Sequence, residues 1–154
     1  MDFSNFRPET RKLLQSAGWF PERLIDTTMF VIQLKAKRYP IHTVVMDFLA
    51  HFGKLKIVYP YTYSDLGSED ELCFDPIYAI SFIQIQTVRA YGKRVKAPLC
   101  VIGTYNHLHD TLMMAPDGKV YGGYSEYLDL VGHSGEEAID NILRGKDMWY
   151  ERIP

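Results

Sequence analysis

Pro40-Ile41-His42-Thr43-Val44-Val45-Met46-Asp47-Phe48-Leu49-Ala50-His51-Phe52-Gly53-Lys54-Leu55-Lys56-Ile57-Val58-Tyr59 holds two periodicities end to end. Ile41, Val44, Val45, Phe48, Leu49 and Phe52 recur at i, i+3, i+4, i+7, i+8 and i+11, a continuous apolar stripe on one helical face. Gly53 stops the helix. Leu55, Ile57 and Tyr59 then fall on one side of a half-buried strand between Lys54 and Tyr59. A one-sided helix running straight into a one-sided strand puts helix and sheet on a shared core.

Toward the N-terminus the pattern stays helical. Pro8 suits a first helical turn, where its missing N–H costs nothing, and Glu9 suits the positive end of the dipole. Leu13, Leu14 and Ala17 give an apolar stripe, Gly18 stops it, and Trp19 is expected to fold back as a core anchor. Arg23 is expected to bond a backbone carbonyl or a carboxylate near the Gly18 turn. Asp26 and Thr27 can cap a second helix over 27–38, with Met29, Phe30, Ile32 and Leu34 as its apolar content. Residues 28–34 are also β-prone, so helix and strand both stand open there, with helix preferred.

Toward the C-terminus, Tyr61 and Tyr63 lead into a stretch with five acids and no base between positions 65 and 75, which reads as a loop or an edge strand ending in one. Asp75-Pro76 is a cap followed by a first-turn proline, and the spacing predicts a helix over 76–91. Ile83-Gln84-Ile85-Gln86 alternates like a strand, which leaves 82–88 open between the two states. Leu99-Cys100-Val101-Ile102-Gly103 reads as a buried strand. Residues 111–115 and 119–124 flank Pro116-Asp117-Gly118 as a hairpin. Ser134-Gly135-Glu136-Glu137 is a capping box opening a last helix with Ala138, Ile139, Ile142 and Leu143 inward. The tail from Asp147 is amphipathic and can dock through Met148, Trp149 and Ile153. The order of elements predicts one α+β domain over 1–154, a mainly antiparallel sheet packed with N-terminal helices and a C-terminal helix.

Charge and chemistry narrow the function. A net charge of −2 leaves no basic footprint for phosphate, so nucleic acid is not expected as a direct partner. Arg89, Lys93, Arg94 and Lys96 read as a helix end complementing its own dipole. Two cysteines without CxxC spacing suit a reducing compartment. The N-terminus lacks a signal-peptide profile, and the apolar runs fall far short of the roughly 20 residues of a membrane span, so a cytoplasmic location with no membrane partner is expected. No GxGxxG or Walker loop is present, and no cofactor is expected. Cys100 sits in an apolar run and Cys73 among acids, neither of which favours a thiolate. The enzyme-like feature is Asn106-His107-Leu108-His109-Asp110: on a strand, the two histidines would point the same way and supply two ligands of a catalytic zinc. The spacing lacks a third ligand, and a polar strand connection is the plainer reading.

Ser16-Ala17-Gly18-Trp19-Phe20-Pro21-Glu22-Arg23-Leu24-Ile25-Asp26 followed by Phe48-Leu49-Ala50-His51-Phe52-Gly53-Lys54-Leu55 resembles the third immunity subfamily of the SUKH superfamily, bacterial proteins that bind and neutralise toxins. Asp75-Pro76 with Ala79, the strand Leu99–Gly103, Asp117-Gly118-Lys119-Val120-Tyr121, and Gly132 through Ala138 with Leu143 resemble further family motifs in the same order, over roughly residues 13–145. Cys100-Val101 departs from the proline common in that strand, and Tyr124-Ser125-Glu126-Tyr127 aligns with nothing in the pattern. The resemblance implies a non-enzymatic antidote that binds a cognate toxin, often a nuclease, and blocks its active site stoichiometrically. Tyr61, Tyr63, Asp65, Glu69, Asp70 and Glu71 are the expected contact residues, because acids beside tyrosines suit a basic partner. Two other readings stand beside it: a small metal-dependent hydrolase using His107 and His109, and an intracellular adaptor. Oligomeric state and toxin identity are not written in the chain.

Overall fold

The structure, a computed structural model, describes residues 2–60, 68–145 and 150–154. Three helices come first: α1 (Pro8–Ser16), α2 (Thr28–Ala36) and α3 (Thr43–Phe52). The strands β1 (Lys56–Pro60) and β2 (Glu69–Cys73) follow, then α4 (Pro76–Ala79) and α5 (Ile85–Val95). The strands β3 (Cys100–Tyr105), β4 (Asp110–Met114), β5 (Val120–Tyr124) and β6 (Tyr127–Gly132) precede α6 (Gly135–Leu143) and the short β7 (Glu151–Arg152). The seven strands form one antiparallel sheet in sequence order, β1 to β7. The domain is therefore α+β, and residues 28–34 are helical.

Local chemistry sets each boundary. Gly18, at φ 101°, lets the chain turn so that the Trp19 amide reaches the Leu14 carbonyl at 2.9 Å and closes α1. Trp19 is 2% exposed, stacked on Phe52 at 6.1 Å and edge-on to Phe3 at 5.3 Å. Arg23 does bond backbone carbonyls, but at the end of α3 rather than at the Gly18 turn. Its guanidinium donates to His51 O and Gly53 O, each at 2.7 Å. Those carbonyls have no helical partner, and a cation is favoured at that end of the dipole.

The helix expected over 76–91 is two helices. The Asp75 carboxylate accepts from the Tyr78 amide at 3.1 Å and starts α4, and the Ser81 hydroxyl donates to the Tyr78 carbonyl at 2.5 Å. That side-chain bond competes with the next helical turn. Gln84 then takes an extended conformation, φ −84° and ψ 145°, and serves as the N-cap of α5. The strand-like alternation at 83–86 thus marks the break. The acidic stretch contains β2, which lies one strand in from the edge. The edge itself is β1, blunted by Lys56 at its start and Pro60 at its end. In the capping box, Ser134 Oγ accepts from the Glu137 amide at 3.1 Å, while the Glu137 carboxylate reaches back to the His133 amide instead of that of Ser134. Of the expected tail anchors, Ile153 packs on the core, and Met148 and Trp149 lie outside the described residues.

Two adjacent glycines let both faces of the sheet be covered closely. Side chains alternate across a strand, so Gly122 and Gly123 open opposite faces. The Tyr105 ring lies over Gly122, and the Tyr91 ring from α5 lies over Gly123. β3, between the layers, is buried along its whole length. The N-terminal arm is tied to α6 through Asp140. Its carboxylate accepts from the Thr10 hydroxyl at 2.6 Å, the Arg7 side chain at 3.2 Å and the Arg7 amide at 3.3 Å. Burial alone would raise the Asp140 carboxyl, but the Thr10 and Arg7 hydrogen bonds and the Arg7 charge outweigh it and hold it below 3.8.

Two outcomes follow from this packing. Trp19→Ala is expected to cost about 3–5 kcal/mol in urea unfolding, because a ring in contact with three phenylalanines leaves a cavity. Asp140→Asn is expected to lower stability by about 1–3 kcal/mol at pH 7. A depressed carboxylate stabilises above its unfolded pKa and loses that contribution as pH falls through its folded pKa. The gap between wild type and Asp140→Asn should therefore close below roughly pH 4, read from urea midpoints across a pH series.

Candidate functional site: an acidic, tyrosine-lined cleft

The register of the sheet assembles one polar face. Tyr59 pairs with Asp70, and Tyr105 pairs with Asp110. Tyr124 pairs with Tyr127, and Asp129 sits between Gly122 and Arg152. Directly opposed residues share a face, and so do residues two apart on a strand. Three aspartates, four tyrosines and one arginine are thus gathered on the Gly122 side. Together with Asn106, Ile142, Gly145 and a fifth tyrosine, Tyr150, they line a cleft of about 190 Å³. Gly122, having no side chain, lets the Tyr105 ring lie close against the strand at this cleft.

Asp70 is the anchor of this face. It is 2% exposed, and its carboxylate accepts from the Glu71 and His107 amides, each at 2.7 Å, and from the Tyr59 hydroxyl at 3.3 Å. The bond to His107 secures the β3–β4 turn, in which Asn106, His107 and Leu108 all have positive φ, 54°, 55° and 69°. Left-handed backbone costs a non-glycine residue roughly 1–2 kcal/mol, so three in a row need such a tether. Asn106 then donates to Asp110 Oδ2 at 2.7 Å. Burial pushes the Asp110 carboxyl up, the Asn106 bond works against that, and the Asp129 charge adds to it. Asp129 accepts from Arg152 Nε at 2.6 Å, and the Arg152 guanidinium lies 4.8 Å from the Tyr127 ring centre. Burial also drives the Tyr105 phenol well above 10, so it stays protonated.

The residues expected at the contact surface divide three ways. Tyr61, Tyr63 and Asp65 lie outside the described residues. Asp70 points into the cleft. Glu69 and Glu71, on the opposite side of β2, face outward beside Pro60 and Val58, and Glu71 meets Lys56 at 3.2 Å. The sequence reasoning missed Tyr105, Asp110, Tyr124, Tyr127 and Asp129. Their one local signal was tyrosines and aspartates near the ends of strand patterns, which becomes a site only through long-range register.

The zinc reading loses its geometric premise. His107 and His109 stand in a turn, not on a strand. His107 lies 3.7 Å from Asp70, and the His109 ring stacks on Tyr124 at 6.0 Å. No group of three or more His, Cys, Asp or Glu side chains is arranged for a metal among the described residues. Cys100 is fully buried, which pushes its thiol up to about 12. Cys73 is raised by burial and then by Glu71, so neither thiol is poised as a nucleophile. Among the described residues, no helix is long and apolar enough to cross a membrane.

An array of acceptors and aromatic faces suits the binding of a partner of complementary chemistry. Comparison with known proteins gives the same direction. Neither the curated proteins nor the solved structures gave a match. The model of the SUKH-3 immunity protein family matches residues 6–145, from the N-terminal arm to the end of α6. The chain belongs to the SUKH-3 immunity protein family.

Proposed function

We propose that this immunity protein neutralises a nuclease-type toxin domain in the cytoplasm by stoichiometric binding over its active site, without catalysis of its own. The observation that carries the reading is the cleft, where three aspartates and four tyrosines share one sheet face with a single arginine. A nuclease presents lysine and arginine where it grips phosphate, and carboxylates with tyrosine hydroxyls are the matching acceptors. Tyrosine adds area at low entropic cost, as binding hot spots do. Glu69 and Glu71 add acidic charge on the other face of β2, and Tyr61, Tyr63 and Asp65 are further proposed contacts on their sequence chemistry alone. Asp70, being buried, serves the surface by holding Tyr59 and the β3–β4 turn in place.

Asp110 supports a binding role on energetic grounds. A half-buried carboxylate whose pKa is raised by burial weakens the fold at neutral pH. Such groups persist where function offsets the loss.

The partner is to be purified from the native host on tagged bait after toxin induction. A one-to-one complex that abolishes cleavage of RNA or DNA is expected. A partner acting on something other than nucleic acid would remove the nuclease reading and leave the family assignment standing. Charge reversal of Asp65, Glu69 and Glu71 together to lysine should weaken that complex at least about tenfold at low salt, since screened charges dominate steering. Unchanged affinity in a surface-binding assay would remove the acidic strand from the contact. Asp110→Asn is expected to raise stability by about 0.5–1 kcal/mol at pH 7 while weakening toxin binding. A raised carboxylate regains stability as pH falls through its folded pKa, so that gain should vanish in acid. A stability gain without loss of affinity would make Asp110 a bystander.

A further inference from the structure

A second and larger hollow lies away from the acidic cleft. A groove of about 710 Å³ runs between the ends of α2 and α5, and no acid among the described residues lines it. Lys35, Arg38, Arg89, Lys93 and Lys96 stand around it. All five are exposed, and none makes a side-chain hydrogen bond or ion pair among the described residues. The floor is aliphatic, from Ile85, Val88 and Leu99. Tyr39 also lines it, 4% exposed, with a hydroxyl that finds no hydrogen-bond partner among the described residues. Burial raises that phenol to about 12, which keeps it a donor.

Dipole complementation does not account for so much charge. Two helix ends offer about half a negative charge each, against five full cations. The backbone also holds two of them in place: Arg38 and Lys96 have left-handed φ, 67° and 58°, each one to two residues past the end of its helix. The groove thus presents five unneutralised cations around a greasy floor, in a chain whose net charge is −2. Nucleic acid also answers to cations, but binding its bases calls for exposed aromatic faces, and the one ring here is buried. An acidic polypeptide fits both halves of the surface, carboxylates on the rim and an aliphatic or aromatic side chain on the floor.

We propose that this groove is a second docking surface, separate from the acidic cleft, which binds an acidic segment of a protein partner through an apolar anchor seated between Val88 and Leu99. The inference does not depend on the cleft contacting a toxin. α5 carries half of the groove and packs on the Gly123 side of the sheet, while the cleft opens on the Gly122 side.

Random dodecapeptides displayed on phage supply the probe, selected on the intact chain with the Arg89→Glu, Lys93→Glu double variant as the subtraction target. The recovered sequences are expected to carry Asp or Glu flanking one or two large apolar residues. A synthetic peptide of the consensus should bind the wild type and lose at least tenfold affinity on the double variant and on raising salt. It should also shift the methyl resonances of Val88 and Leu99. Both substitutions are at exposed positions, and thermal melting checks that the variant remains folded. Sequences without acidic bias, equal binding by the folded double variant, equal binding by an all-polar acidic peptide, or tighter binding of oligo(dT) of the same length would each overturn the proposal. Charge reversal of Glu69 and Glu71 should leave peptide affinity intact, and its loss there would place the contact on β2 and overturn the proposal too.

Discussion

The Phe52 ring is the contact on which the rest of the packing depends. It lies 5.0 Å from Phe48, 5.6 Å from Phe3, 6.1 Å from Trp19 and 6.2 Å from Phe6 and Phe74. Those rings come from the N-terminal arm, the turn after α1, α3 itself and the link from β2 to α4. One side chain therefore joins segments far apart in sequence. Arg23 closes the same junction from outside by bonding the carbonyls at the end of α3. Gly53 is needed at that spot because a side chain there would meet the Phe30 ring and Ile25. The turn into β1 is thus fixed in direction, and the register of the sheet starts from a defined point.

That geometry explains what the sequence could reveal. The stripe from Val44 to Phe52, the stop at Gly18, and the caps at Asp75 and Ser134 are local signals, and each sits where the pattern puts it, whereas Ile41 lies just before α3. The single helix over 76–91 failed because the Ser81 hydroxyl takes the Tyr78 carbonyl, a side-chain competition that apolar spacing does not register. His107 and His109 allowed a strand pair by spacing, but the plainer reading of a polar connection holds: Asp70, 37 positions away, keeps their segment as a turn. β6 was not foreseen, since Ser125 adopts φ 53° at the tip of the β5–β6 hairpin without the usual glycine signal. The cleft was the hardest to see. Glu69 and Glu71 were visible as acids, but Tyr105, Asp110, Tyr124 and Asp129 meet only through strand pairing.

Charge is segregated in a way that net charge conceals. A chain of net −2 reads as nearly neutral, yet one sheet face gathers Asp70, Asp110 and Asp129 while the α2–α5 groove gathers five cations. Opposite signs on separate surfaces produce a dipolar field that orients an approaching partner before contact. They also oppose wrong docking, because a basic partner is repelled from the groove and an acidic one from the cleft.

The two surfaces differ in how rigidly they are built. Cleft side chains are held by hydrogen bonds: Asp70 by two backbone amides and a phenol, Asp129 by Arg152, and Asp110 by Asn106. Such a constellation is formed before a partner arrives, which lowers the ordering entropy of binding and slows release. Groove cations hang on long stems above a fixed apolar floor, so they adapt to carboxylates at varied positions. A preorganised cleft suits one partner recognised tightly, as neutralising a toxin requires. An adaptable basic rim suits segments of loosely defined sequence, for which charge and one anchor suffice. The fold reconciles these demands by placing the cleft on sheet register, which is stiff, and the groove on helix ends, where long side chains reach water.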